Sequence, residues 1–325
     1  MPEGQHEVAI VGGGYAGLSA AIYLGRAMRD VVIIDAGHSM GNWEPEVQNY
    51  LGFPEGISGE ALVERGLEQA QEYGARWAAD TIERVEGGLD DFVLHGLKGD
   101  YRARRLLLAT GAFHLPPAIA GTRRCIGYSV FFCKDCDGYR VRGKAVAIAG
   151  NRNEAVHYAL GMLAYSPKVY IVTNGEEPMW DDQHEAWRRE YGIPYHCGRI
   201  EGCIEQERMI KAIDFEGGRR IRADVIFATR GDVFHNQLAR ALGAAVDREG
   251  QILVDVDGRT SVPGLYAAGC VTPANCQMII AAGQGATAAQ AINADLLAES
   301  LEKHTLRRYR EIQCRDGGAW PEVME

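Results

Sequence analysis

The sequence predicts an α/β protein containing two nucleotide-binding-type βαβ units, an expectation carried by three observations. An apolar strand pattern near the start runs into a glycine-rich turn, an alanine-rich helix and a second apolar strand ending at Asp35. The same order of elements recurs from about Lys144. At 325 residues the chain is long enough for two domains of roughly 100–200 residues each.

Taken in order, residues 8–11 read as a strand, Gly12-Gly13-Gly14-Tyr15-Ala16-Gly17 as a turn into a helix reaching about Met28, and residues 31–34 as the next strand. The second unit has a strand over 145–149, a turn at Gly150, a helix over about 153–164 and a strand over 169–172. A further strand at 223–228 ends in a turn around Arg230 and Gly231. A short strand at 265–268 then leads into a long helix from about Gln277 to Leu301.

Composition excludes several classes. With 34 basic and 44 acidic side chains the formal charge is −10, and the chain is 24% charged and 46% hydrophobic, an ordinary globular balance. Excess acid argues against nucleic acid as a partner, because phosphate binding needs clustered Lys and Arg. The short cluster Arg102, Arg104 and Arg105 reads as a solvated face. Residues 260–294 carry no charge, yet Pro263, Pro273, Asn275, Gln277, Gln284 and Gln290 suit lipid poorly. No membrane span is expected there; a buried segment facing a cofactor fits better. Glycine, at 40 residues, exceeds its roughly 7% average and needs a structural reason. Eight cysteines in a chain that opens directly on a strand pattern predict a reducing compartment, the cytoplasm.

Gly12, Gly14 and Gly17 have the G-x-G-x-x-G spacing. The first permits the tight turn, the second lets backbone approach a pyrophosphate, and the third lets helix pack on strand. Asp35, about 20 residues on, is placed to accept from a ribose hydroxyl. Cys133-Lys134-Asp135-Cys136 admits three readings: inert core cysteines, half of a zinc site, or a redox dithiol. Zinc needs a second pair, and the candidates Cys270 and Cys276 lie far off in sequence with five residues between them. Thiol–disulfide exchange needs an attacking thiolate and a resolving thiol within reach, which two intervening residues supply. Asp137 can move the proton. A dinucleotide site together with a redox dithiol points to a flavin.

On these motifs the chain resembles the thioredoxin reductase family of flavoproteins. The likeness extends to QNYLGFPEGISG at 48–59, LLLATGA at 106–112, CKDCDG at 133–138, TSVPGLYAAGC at 260–270 and CQMIIAAGQGATAA at 276–289. It implies a homodimer of two nested Rossmann-like domains of three-layer ββα type. Residues 1–114 and 244–325 would form the FAD domain, and 115–243 an inserted domain carrying the cysteine pair. Carried over by position, Cys136 would sit against the flavin, Cys133 would attack the substrate disulfide and Asp137 would be the acid. The implied FAD site comprises Gly12, Gly14, Ala16 and Gly17, then Asp35, Ala36, Gly41, Asn42, Asn49, Thr81 and Ile82. It continues through Ala109, Thr110, Gly111 and Ala112 to Gly269, Cys270, Gln277, Met278 and Ile279.

Three departures from the family pattern matter. The second turn reads Gly150-Asn151-Arg152-Asn153-Glu154-Ala155, with Arg152 where the middle glycine of an NADPH motif belongs and Glu154 at the helix start. After the next strand comes Thr173-Asn174-Gly175-Glu176-Glu177, which offers a 2′-phosphate no arginine and two repelling carboxylates. The pattern matches deep-branching relatives that lack the NADPH motif, and a protein donor such as ferredoxin, or another flavin system, is expected. Cys270 replaces the family's aspartate; a small residue filling space is one reading and a redox role the other. A C-terminal tail from about 303 to 325 carries Trp320, which would stack on the flavin face vacated by nicotinamide or else lie in a disordered tail. The expected activity is reduction of a thioredoxin-like protein disulfide. The alternatives are oxidation of a small dithiol by oxygen and a redox-sensing flavoprotein; relatives of the oxidase kind tend to carry His where Asp137 stands.

Overall fold

The computed structural model describes residues 4–306. The first segment contributes β1 (Gln5–Val11), α1 (Tyr15–Arg26), β2 (Val31–Asp35), α2 (Gly59–Glu72), β3 (Arg76–Ala79), β4 (Ile82–Gly88), β5 (Asp91–Gly96) and β6 (Asp100–Leu108). Strands β3, β2, β1 and β6 are hydrogen-bonded neighbours in that order and all parallel. The far edge of β6 is shared: residues 100–103 pair with β5 in the antiparallel β4–β5–β6 meander, while 106–108 pair in parallel with a strand from the end of the chain. Alternate residues of β1 point to opposite faces, Val8 and Ile10 toward α1 and Ala9 and Val11 toward the meander side. Both faces are covered, which is why the strands read as continuous apolar runs.

Next come β7 (Ala112–His114), β8 (Val130–Phe131), α3 (Lys134–Asp137), β9 (Val146–Ala149), α4 (Asn153–Met162), β10 (Val169–Val172), α5 (Asp182–Glu190) and β11 (Tyr195–His196). They are followed by β12 (Ile200–Gln206), β13 (Met209–Phe215), β14 (Arg219–Arg222), β15 (Val225–Ala228) and β16 (Asp232–Phe234). A second parallel sheet has the order β11-β10-β9-β15-β8, and β12–β14 form an antiparallel meander whose Ile210, Ile213 and Phe215 pack on it. The chain leaves the first sheet through β7 and returns through β16, and these two strands pair antiparallel with His114 opposite Asp232. After α6 (Gln237–Ala241), β17 (Leu265–Ala267) pairs with β6 and completes the first sheet. The uncharged segment ends in α7 (Met278–Glu302), an alanine-rich helix packed along α1. No described helix is long and apolar enough to cross a membrane.

The basic cluster differs from expectation. Arg105 is 4% exposed, because it sits on a covered strand and its guanidinium reaches Asp90 at 2.7 Å and Glu299 of α7 at 2.7 Å. Arg104 joins the same two carboxylates, and only Arg102 lies on a solvated face, against Asp91. Removing one partner from a buried pair strands a charge, whereas an exposed pair contributes little. Glu299→Ala is therefore expected to cost roughly 3 kcal/mol in denaturant unfolding. In the same measurement Asp91→Ala should cost less than about 1 kcal/mol.

Candidate active site

The first glycine turn is built by close backbone approach. Gly12 has φ +109°, and a Cβ there would lie 2.3 Å from the Ala109 carbonyl oxygen; one on Gly17 would lie 1.9 Å from the Gly12 carbonyl oxygen. Gly14 caps α1, whose first turn carries no acid, and a Cβ on Gly14 would meet only Ser39 Oγ, at 3.6 Å. Unpaired amides therefore face open ground at the start of α1, a setting that suits a pyrophosphate. The Asp35 carboxylate is aimed over the turn, accepting from the Gly13 amide at 2.8 Å and the Gly37 amide at 2.9 Å.

Many of the remaining sequence-predicted cofactor residues follow the C-terminal ends of the parallel strands, where open α/β sheets bind ligands. Gly12, Gly14, Ala16 and Gly17 follow β1, Asp35 and Ala36 end β2, and Thr81 and Ile82 follow β3. Ala109, Thr110, Gly111 and Ala112 follow β6, and Gly269 and Cys270 follow β17. Gly41 and Asn42 lie in a single 3-10 turn at Met40–Trp43, with Gly41 close to the Tyr15 ring. Asn49 donates to Gln277 Oε1 at 3.2 Å, and Met278 and Ile279 open α7. These residues fit a bound flavin dinucleotide. Trp320 lies outside the described residues.

Cys133 and Cys136 form a disulfide, with Cys136 on the single turn of α3 and the Cys136 amide 3.1 Å from Cys133 Sγ. Gln277 Nε2 lies 3.2 Å from Cys133 Sγ and 3.1 Å from Cys136 Sγ, so the pair rests against the start of α7 at the edge of the cofactor site. Asp137 is buried behind it. Burial, with the Glu44 charge second, lifts its carboxyl to about 7, against the pull of Arg140 at 3.1 Å. Arg140 also donates to Glu44 at 2.9 Å, whose carboxyl burial raises as well.

Cys270 corrects the expectation of a thiol at a cofactor contact, and of a lone space-filling residue: it is disulfide-bonded to Cys276. Residues 271–275 close into a loop between the two sulfurs, and this closure also removes the zinc reading, since the sulfurs are paired with one another. Two further residues went unforeseen. His114 Nε2 lies 3.8 Å from Cys276 Sγ, and His114 Nδ1 lies 2.5 Å from Asp232 Oδ1. His114 also stacks on Phe132, beside Cys133, with ring centroids 5.4 Å apart. The available signal was Cys270 standing in an otherwise matching motif with a second cysteine six positions on.

The second glycine turn is closed by its own chain. The Met179 amide donates to the Asn151 carbonyl at 2.6 Å, and Asn151 Nδ2 donates to the Glu177 carbonyl at 3.2 Å. Asn153 Nδ2 donates to Asp181 at 2.8 Å and its Oδ1 accepts the Asp181 amide at 2.9 Å. In contrast to α1, the first turn of α4 carries an acid, Glu154.

The sequence matches the family described as pyridine nucleotide-disulphide oxidoreductase over residues 6–293. A thioredoxin reductase of Listeria innocua is 30% identical over 308 residues, covering 92% of this chain and 95% of that one. Among solved structures, HlmI superposes with a TM-score of 0.87 at 28% identity, covering 95% and 98% of the two chains. An atypical thioredoxin reductase from Desulfovibrio vulgaris Hildenborough is 31% identical with a TM-score of 0.50, covering 89% and 97%. The chain belongs to the pyridine nucleotide-disulphide oxidoreductase family. Within it, the chain is a thioredoxin reductase-like, FAD-dependent oxidoreductase acting on a sulfur group.

The Asp137 environment has a consequence for stability. The folded carboxyl keeps its proton to about pH 7, whereas the ordinary value is 3.8. Its contribution is therefore fully present below the unfolded value and is lost as pH rises through the folded one. Asp137→Asn is expected to gain stability relative to the parent as pH rises from about 4 to about 7, read from unfolding midpoints in denaturant.

Proposed function

We propose that this protein is a disulfide reductase in which Cys133 and Cys136 carry electrons from the flavin to a thioredoxin-like protein disulfide, with a protein such as ferredoxin as donor in place of NADPH. The observation that carries the reading is the Cys133–Cys136 disulfide held by Gln277 at the mouth of the cofactor cradle, with a proton-bearing carboxyl behind it. When bound, the flavin supplies two electrons. The residues proposed to hold it are those at the C-terminal strand ends together with Gly41, Asn42, Asn49, Gln277, Met278 and Ile279. We place the domain boundaries at 1–114 with 244–325 and at 115–243 and take the working form to be a homodimer, as the family resemblance implies, in the cytoplasm that the cysteine usage predicts.

Cys133 is assigned the attack on the substrate disulfide. Its sulfur has two N–H groups within hydrogen-bonding distance, from Cys136 and Gln277, which would hold the negative charge of a thiolate. Cys136 resolves the mixed disulfide, and Asp137 protonates the departing thiolate. The second glycine turn supports the donor assignment. Arg152 occupies the place where backbone must come close to a pyrophosphate, and the segment around Met179 hydrogen-bonds to the turn an incoming dinucleotide would need. Glu154 already places negative charge at the positive end of α4.

Anaerobic addition of reduced ferredoxin is expected to bleach the visible absorbance of the holoenzyme and to generate thioredoxin thiols, while NADPH leaves the spectrum unchanged. Flavin reduction by NADPH within a turnover would overturn the donor assignment, and peroxide release with a small dithiol would redirect the reading to an oxidase. For Asp137→Asn, thioredoxin reduction should fall on the order of 10²-fold below about pH 7. In the parent enzyme the rate declines as pH rises through the carboxyl's value, and the variant lacks that decline.

A further inference from the structure

Resting on the assignment of Cys133–Cys136 as the pair reduced at the flavin, we propose that Cys270–Cys276 is a second redox-active disulfide, reduced by the first through direct thiol–disulfide exchange. Two independent bridges join the pairs. Gln277, the residue after Cys276, has its side-chain amide within 3.2 Å of both sulfurs of the first pair. Phe132, the residue before Cys133, stacks on His114, which in turn faces Cys276 Sγ at 3.8 Å. Neither pair is sealed off, since all four cysteines are partly exposed and Pro273 and Asn275 of the second loop face solvent.

The surroundings of Cys276 supply what exchange needs. Asp232 engages His114 Nδ1, which leaves Nε2 directed at the sulfur. A cysteine beside a histidine held by a carboxylate is the arrangement that moves a thiol proton and stabilises a thiolate. A disulfide serving only to pin the loop at residues 270–276 has no use for such a partner. His114 and Asp232 sit on β7 and β16, the two strands joining the halves of the molecule, so the proton partner of the second pair is anchored where the first pair's half connects.

The Cys133 thiol gives up its proton as its sulfur attacks Cys276 Sγ, the Cys270–Cys276 bond breaks, and that proton passes to the departing Cys270. The Cys136 thiol then attacks Cys133 Sγ, passing its proton to His114, and releases Cys276, to which His114 returns that proton. Two electrons and two protons pass from the first pair to the second; the first is oxidised to its disulfide, and the reductant that regenerates it is the flavin of the proposed activity. The fully reduced protein thus stores one electron pair more than a flavin and a single dithiol hold.

The experiment uses anaerobic holoenzyme photoreduced so that electrons enter at the flavin, quenched with N-ethylmaleimide and mapped by mass spectrometry. All four cysteines should be alkylated in the parent, whereas Cys270 and Cys276 should stay linked in Cys133→Ser. Labelled Cys133 and Cys136 beside an intact Cys270–Cys276 bond would overturn the relay alone. Unlabelled Cys133 and Cys136 would overturn the underlying assignment as well. Equal labelling of Cys270 and Cys276 in Cys133→Ser would show another electron route and overturn exchange. The double variant Cys136→Ser/Cys270→Ser gives a check that needs no turnover: mild oxidation should yield a Cys133–Cys276 disulfide peptide, and its absence counts against the relay. His114→Gln should slow labelling of Cys276 on the order of 10²-fold with no change at Cys133 and Cys136; an unchanged rate would remove His114 from the step.

Discussion

The structure depends on backbone packing directly on backbone around α1. The space for a Cβ on Gly17 is taken by the Gly12 carbonyl oxygen at 1.9 Å, and that for a Cβ on Gly285 by the Ala16 carbonyl oxygen at 2.0 Å. The helix that points its amides at the cofactor ground is thereby pressed on one side against the turn preceding it and on the other against α7. Because α7 is held there, its first residues and the loop before it arrive beside the glycine turn, although more than 250 residues separate them in sequence. Glycine at Gly12, Gly17 and Gly285 follows from this, since any side chain at these contacts would push the elements apart and open the cradle.

From that anchor the remaining geometry follows through two short strands. β7 and β16 are the exit from and return to the first sheet, and their pairing fixes where the second sheet hangs. The cysteine pair rides on the second half yet is met by Gln277 of the first. The site is therefore composite, and its chemistry depends on how the halves are docked as much as on either half alone.

The two βαβ units were legible because parallel strands covered on both faces must be continuously apolar, and because a glycine turn between strand and helix leaves a fixed spacing. The β4–β5–β6 and β12–β13–β14 meanders were not, since strands such as Ile82–Gly88 are half exposed and carry charges that blur the two-residue alternation. Of the site, the Cys133–Cys136 pairing could be read from adjacency alone. The Cys270–Cys276 bond depends on a loop closing on itself, and the His114–Asp232 contact joins residues 118 apart through strand pairing. Arg105 was misread for a similar reason: its partner Glu299 lies 194 residues away on α7.

The ion cluster at Arg140 ties protonation to docking. Asp137 and Arg140 belong to the half that carries the first cysteine pair, while Glu44 belongs to the other. Any motion that parts the halves withdraws the Glu44 charge, admits water to Asp137 and leaves the guanidinium to Asp137 alone. All three changes lower the affinity of that carboxyl for its proton. Docked, the acid is loaded; undocked, it lets go. The proton supply for disulfide chemistry is in this way tied to how the two halves are docked.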